Sequence, residues 1–234
     1  MREMFDDSLK LVLMHEGGWS DHPLDPGGAT MQGVTLRTYS NWLGRPATKD
    51  ELRNMPAEHR DAIYRKLYWE RVQADELPPG VDHCAFDIAV NSGPGRAAKI
   101  LQEAASVPAD GSIGPKTLAA IRYADPLYLI GRMSDLRLEF LQRLDTWPTF
   151  GKGWGRRVEQ VRDESQRLFE RGRATEGGNG QVSSPCPVCS RGGGGRYSAC
   201  RSPLLPHIPH TPHRHPAFLQ ADSMRFPREM VPPK

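Results

Sequence analysis

The sequence predicts a mainly α protein with one small β-hairpin, and three observations carry that expectation. Apolar residues return at helical spacing through most of the first 174 positions. A glycine-rich turn and a short alternating stretch interrupt them near position 30, and an almost unbroken apolar run fills 81–93.

Phe5, Leu9, Val12 and Leu13 lie within an arc of roughly 100°, the width of a core-facing helical stripe, and Glu16 falls inside the same arc. Gly17 and Gly18 are expected to end that helix in the left-handed conformation glycine permits. "DPGG" (25–28) reads as a tight turn, and "ATMQGVT" (29–35) as a short strand or hairpin. From Thr35 the helical pattern resumes through Leu36, Tyr39, Trp42 and Leu43. Thr48 with Glu51 forms a capping-box signature. Pro56 suits a first helical turn, with Ile63, Leu67 and Tyr68 as the buried face behind it.

"DELPPG" (75–80) breaks the chain before "VDHCAFDIAVNSG" (81–93), whose length favours a central helix buried on several sides. Gly93-Pro94-Gly95 ends it. A helix from Arg96 to Ser106, a turn in "PADGSIGPKT" and a helix opening at Pro115 follow, then two longer amphipathic helices near 127–144 and 158–169.

The formal charge of +3 invites a nucleic-acid reading, but 24 of the 31 basic and 25 of the 28 acidic residues lie in positions 1–174. The basic excess belongs to the remainder, so a nucleic-acid footprint on the folded part loses its support. Positions 175–234 hold ten of the 21 prolines, a four-glycine run and four of the eight histidines without apolar periodicity. Disorder is the expectation there. "CPVC" (186–189) with Cys200, His207 and His210 imitates a zinc set, yet the spacing fits no finger and no metal is expected. Cys84 alone lies in the body, so no disulfide framework is implied. The longest N-terminal apolar run, "LVLM", is shorter than the roughly 7–15 residues of a signal-peptide core, and a cytoplasmic start is expected.

Glu16 draws attention because of its place. Burial on the stripe and the negative end of the helix dipole both favour its protonated form, the state a general acid needs near neutral pH. Asp25 follows nine residues later and Thr30 five after that, on a turn and strand able to fold back over the helix end. An acid, a second carboxylate and a water-holding hydroxyl are the groups that glycoside hydrolysis by inversion requires. Asp21 is an alternative second carboxylate, whereas Glu70 and Glu76 read as solvated charges. Asn91 and Ser92 could line a sugar cleft or cap their helix. Tyr39, Trp42, Tyr68, Trp69, Trp147 and Trp154 offer stacking faces, of which Trp154, in "FGKGWGRR", is the expected exposed one.

"EGGWSDHPLDPGGATMQGVTLRTY" resembles the opening motif of the phage-type muramidases of glycoside hydrolase family 108. It is also similar to the Glu…Asp…Thr constellation of the phage T4-type lysozymes, with one residue fewer between acid and threonine. "LYWERVQADELPPGVDHCAFDIAVNSGPGRAAKILQ" resembles the middle of the family, and "VPADGSIGPKTLAAI" its C-terminal predicted peptidoglycan domain, so the similarity covers roughly residues 5–172.

The resemblance implies a lysozyme-like helical fold that cleaves the β-1,4 bond between N-acetylmuramic acid and N-acetylglucosamine in peptidoglycan, without metal or cofactor. It makes Glu16 the catalytic acid and, through the T4-type analogy, Asp25 and Thr30 its partners, with Asn91, Ser92 and Trp154 as substrate-binding candidates. The expected organisation is a catalytic region (1–93), a peptidoglycan-binding region packed on it (94–174) and a tail (175–234). An endolysin or protein-release lysozyme, monomeric and passing through a holin-type pore, is the matching role. The rivals are a lytic transglycosylase, a non-catalytic wall-binding protein and, last, a nucleic-acid binder using the tail.

Overall fold

The structure, a computed structural model, describes residues 2–21 and 28–176. Asp25 lies outside the described residues, as do the cysteines and histidines of the tail.

The architecture is mainly α with one small sheet. α1 (Arg2–His15) leads into a three-stranded antiparallel sheet of β1 (Trp19–Ser20), β2 (Thr30–Met31) and β3 (Val34–Thr35). Thr30 pairs with Ser20 on one side and Thr35 on the other. Gln32 and Gly33 join β2 to β3 with φ of 47° and 75°, the positive pair that a two-residue hairpin turn needs to match strand twist. Six short helical pieces follow: α2 (Leu36–Leu43), α3 (Lys49–Arg53), α4 (Ala57–Tyr64), a π-helical turn (Arg65–Trp69) and two 3-10 turns (Glu70–Val72 and Ala74–Glu76). The capping box at Thr48 and Glu51 forms as its sequence signature implies.

α5 (Val81–Ser92) is the hub, with every residue from Val81 to Ala89 buried. Such a helix carries apolar side chains on all its faces because neighbours surround it. α6 (Pro94–Ala104), α8 (Pro126–Gln142) and α9 (Trp147–Glu176) pack against it, while α7 (Pro115–Tyr123) bridges α6 to α8 along the chain. Phe5 of α1, Trp69 of the π-turn and Phe86 of α5 meet edge-on or tilted, with centroids 5.3–5.9 Å apart. One core runs from Phe5 to Leu136, across the boundary at 93/94 that the sequence suggests. The buried Gln102 of α6 ties down the "DGSIG" turn, donating to Asp110, the Ser112 carbonyl and Thr117 while accepting from Gly111 N–H.

Three local expectations are corrected. Gly17 and Gly18 do not take the left-handed conformation; the positive φ near them belongs to Gly28, Gln32 and Gly33. Leu67 is 39% exposed instead of buried, because the π-turn inserts an extra residue into the helical cycle and rotates it outward. The last helix, expected near 158–169, is the 30-residue α9, which begins at Trp147 and takes in "FGKGWGRR". Gly151, lacking a Cβ, leaves room for the Trp147 ring to lie over it; a Cβ there would stand 2.5 Å from the indole. Among the described residues, no helix is long and apolar enough to cross a membrane.

Candidate active site

Glu16 follows immediately on the last residue of α1, and its side chain keeps only 9% of its surface exposed. Its surroundings differ from those its own helix suggests. Nη2 of Arg157, on α9, lies 3.0 Å from Oε1. The same nitrogen lies 2.8 Å from Oδ1 of Asp87 on α5, and Arg157 Nε adds contacts of 3.2 and 3.4 Å to the two Asp87 oxygens. Arg137 of α8 closes the chain of charges with Nη1 2.7 Å from Asp87 Oδ2. Two carboxylates and two guanidiniums therefore alternate behind the hairpin.

Burial opposes the charge on Asp87, but Arg157 and Arg137 outweigh it and hold that carboxyl far below the usual carboxylate range. Arg157 is likewise desolvated, and Asp87 and Glu16 together more than restore its proton affinity. None of these charges would be tolerated alone in a core; each stands beside an opposite one.

On its other side Glu16 meets the hairpin. A Cβ built on Gly33 would stand 3.2 Å from Glu16 Oε2 and would overlap the Tyr64 hydroxyl, so the turn glycine both permits φ 75° and lets the strand backbone reach the acid. Tyr64 donates to the Gln32 carbonyl at 3.0 Å. Burial, with Glu16 nearby, raises its phenol well above its ordinary value, so the hydroxyl stays neutral.

Helical spacing explains the convergence. His83, Asp87 and Asn91 share one face of α5, and Arg157, Val161, Glu164 and Ser165 share one face of α9. The helices run antiparallel, setting Asp87 against Arg157 and His83 against Glu164, whose Nε2 and Oε2 are 3.4 Å apart. His15 Nε2 reaches within 4.0 Å of the same oxygen. Burial first, then Arg157, holds the His15 imidazole below its ordinary value. Among the described residues, no group of three or more His, Cys, Asp or Glu is arranged to hold a metal ion.

The other candidates fall around this core. Thr30 stands in β2, half-buried, with Oγ1 donating to the Gly28 carbonyl at 3.3 Å; it belongs to the same hairpin as Gly33. Asp21 turns to α3, where Lys49 Nζ holds both its oxygens at 3.0–3.1 Å. Asn91 and Ser92 form the last turn of α5, one turn beyond Asp87, with Ser92 Oγ donating to Asn91 Oδ1 at 3.1 Å. Trp154 sits three residues before Arg157 but is half-buried, packed on Phe150 and Trp147 with centroids 5.6 and 6.3 Å away. It is not the exposed platform expected.

Of the other aromatics, Trp69 is fully enclosed, donating to Asp75, and Tyr39 is buried against His59. Tyr68 is half-buried beside Tyr64, with ring centroids 5.6 Å apart. Asp87, Arg137, Arg157, Tyr64 and Gly33 escaped the sequence reading. The only signals were a charged residue inside the apolar run 81–93 and an arginine inside an amphipathic pattern.

Residues 9–93 match the model of the family described as Glycosyl hydrolase 108, and residues 96–159 match a Predicted Peptidoglycan domain. The solved structure of Brucella abortus SagA is 44% identical to this chain, with a TM-score of 0.66 over 72% of this chain and 97% of that one. No curated protein matches the chain. Arg157 lies within the second matched region, so the acid and its guanidinium partner come from different ones.

Proposed function

Since the chain belongs to the glycosyl hydrolase 108 family, we propose that this peptidoglycan-directed glycosidase is an N-acetylmuramidase. It cleaves the β-1,4 bond from N-acetylmuramic acid to N-acetylglucosamine with Glu16 as general acid. The observation that carries this reading is the Glu16 carboxylate itself: Oε1 is tied to Arg157, and Oε2 faces the hairpin backbone at Gly33. A carboxyl held by one oxygen has a defined direction in which to present its proton.

In the proposed reaction Glu16 transfers its proton to the glycosidic oxygen as the bond to the muramic anomeric carbon breaks. The N-acetylglucosamine leaves as an alcohol. The anomeric carbon then bonds to a water oxygen, whose proton passes to a carboxylate. Asp25 supports the developing positive charge and Thr30 holds the water, with Asn91 and Ser92 on the sugar-binding side. No metal or cofactor enters these steps. Passage through a holin-type pore by a monomeric enzyme, in phage lysis or protein release, is the role proposed for it.

The test is digestion of purified peptidoglycan by the wild type and by Glu16→Gln, with mass spectrometry of the released muropeptides. Reducing muramic ends that disappear in the variant support the proposal. Anhydro-muramic ends would replace it with a lytic transglycosylase, and binding to sacculi without any release would replace it with a wall-binding protein.

A further inference from the structure

We propose that Asp87 and Arg137 are positioning residues that set the pH range over which Glu16 can donate its proton, acting through Arg157. The inference rests on the reading of Glu16 as the acid, and goes beyond it by assigning a tuning function to buried charges on α5 and α8.

The geometry is that of a shared cation. One nitrogen, Arg157 Nη2, serves Glu16 Oε1 at 3.0 Å and Asp87 Oδ1 at 2.8 Å. A guanidinium beside a carboxyl favours the ionised form. Asp87 draws part of that field to itself, and Arg137, 2.7 Å from the other Asp87 oxygen, limits how much Asp87 can take. With Glu16 ionised the four groups are neutral in sum; with Glu16 protonated they carry one positive charge. Their balance therefore decides how readily the proton leaves, while the arginine also fixes the direction of the carboxyl.

Among the described residues, the other ionisable groups around the acid are few. His15 is its neighbour in sequence at the end of α1, Tyr64 and Arg60 come from α4, His83 from α5 and Glu164 from α9. Tyr64 stays neutral, and Glu164 faces the two histidines instead of the guanidinium. Neither replaces Asp87 as the counter-charge to Arg157.

The experiment compares the pH dependence of reducing-end release from peptidoglycan for the wild type, Asp87→Asn, Arg137→Met and the double variant Asp87→Asn/Arg137→Met, each checked for folding by circular dichroism. Asp87→Asn leaves Arg157 to Glu16 alone, and the alkaline limb of the profile moves to lower pH by about half a unit to one unit. Arg137→Met returns more of Arg157 to Asp87, and the limb moves to higher pH. The double variant leaves one neutral Glu16–Arg157 pair, so it keeps the interior charge-balanced even where Asp87→Asn fails to fold, and its limb moves down as well. A folded double variant whose profile superimposes on the wild type overturns the proposal. Glu16→Gln on the same substrate separates the two ideas: full activity there removes the acid assignment itself, whereas inactivity with unmoved limbs removes only the tuning.

Discussion

Arg157 and Glu16 are joined by a 3.0 Å contact between Nη2 and Oε1 across 141 positions of sequence. The contact fastens the end of the first helix to the last, across the boundary between the two matched family regions. Neither residue is exposed enough for solvent to screen the pair, with 11% and 9% of their side-chain surfaces accessible. The acid's environment is thus a property of the whole chain.

Removing Arg157 is expected to damage stability as well as activity. Arg157→Met leaves Glu16 without its partner and Asp87 with Arg137 alone, and loss of one member of a buried charge network typically costs about 3–5 kcal/mol. Urea denaturation at neutral pH measures it. A loss below about 1 kcal/mol would mean that the carboxylates find solvent or other partners.

Glu16→Gln should behave differently. The amide keeps nearly the same shape and can still accept from Arg157 through its oxygen, so the melting temperature is expected to change little. Activity on peptidoglycan is expected to fall by about 10²–10⁴, the usual contribution of a positioned general acid. Parallel melting curves and rate assays check both halves.

Gly33→Ala tests the approach of the hairpin to the acid. The added methyl would overlap the Tyr64 hydroxyl and press on Glu16 Oε2, at a φ of 75° that itself costs an L-residue about 1–2 kcal/mol. Activity is expected to drop at least tenfold as the turn withdraws. Tyr64→Phe in the same chain removes the overlapped oxygen and is expected to recover part of the loss. Equal activities of the single and double variants would show that backbone strain alone is responsible.

Asp82 offers a pH-dependent stability test away from the acid. Burial pushes its carboxyl up to about 7, against a partial offset from the His83 N–H that it accepts at 2.7 Å. Its folded value lies above its unfolded value near 4, so the folded state holds the extra proton between the two. The stability that this proton brings is complete below about pH 4 and is lost as pH rises through about 7. Asp82→Asn keeps an acceptor for the His83 N–H without the charge. It should therefore be more stable than the wild type above pH 7, by up to about 4 kcal/mol, with the difference closing toward pH 4. Thermal denaturation from pH 4.5 to 8.5 measures this, and a pH-independent difference would contradict the linkage.

Much of the fold is legible in local sequence because its causes are local. The Phe5-Leu9-Val12 stripe, the capping box at Thr48 and the hairpin within 29–35 each draw on neighbours within a few positions. The apolar length of 81–93 was enough to mark a helix enclosed on several sides. Where a neighbour in space alters the local rule, local reading fails. The π-turn that rotates Leu67 outward is of this kind.

By itself, then, the sequence determined a mainly α body, a small hairpin after the first helix, and a glutamate at the end of that helix as the residue to watch. Tertiary structure alone decided what that glutamate touches. Its helix stripe and dipole predicted a buried acid in its protonated form, since those influences are visible within a few turns. The guanidinium that meets it arrives on another helix, itself fixed by Asp87 and Arg137. Electrostatic energy depends on distance in space and on exclusion of water, and separation along the chain measures neither.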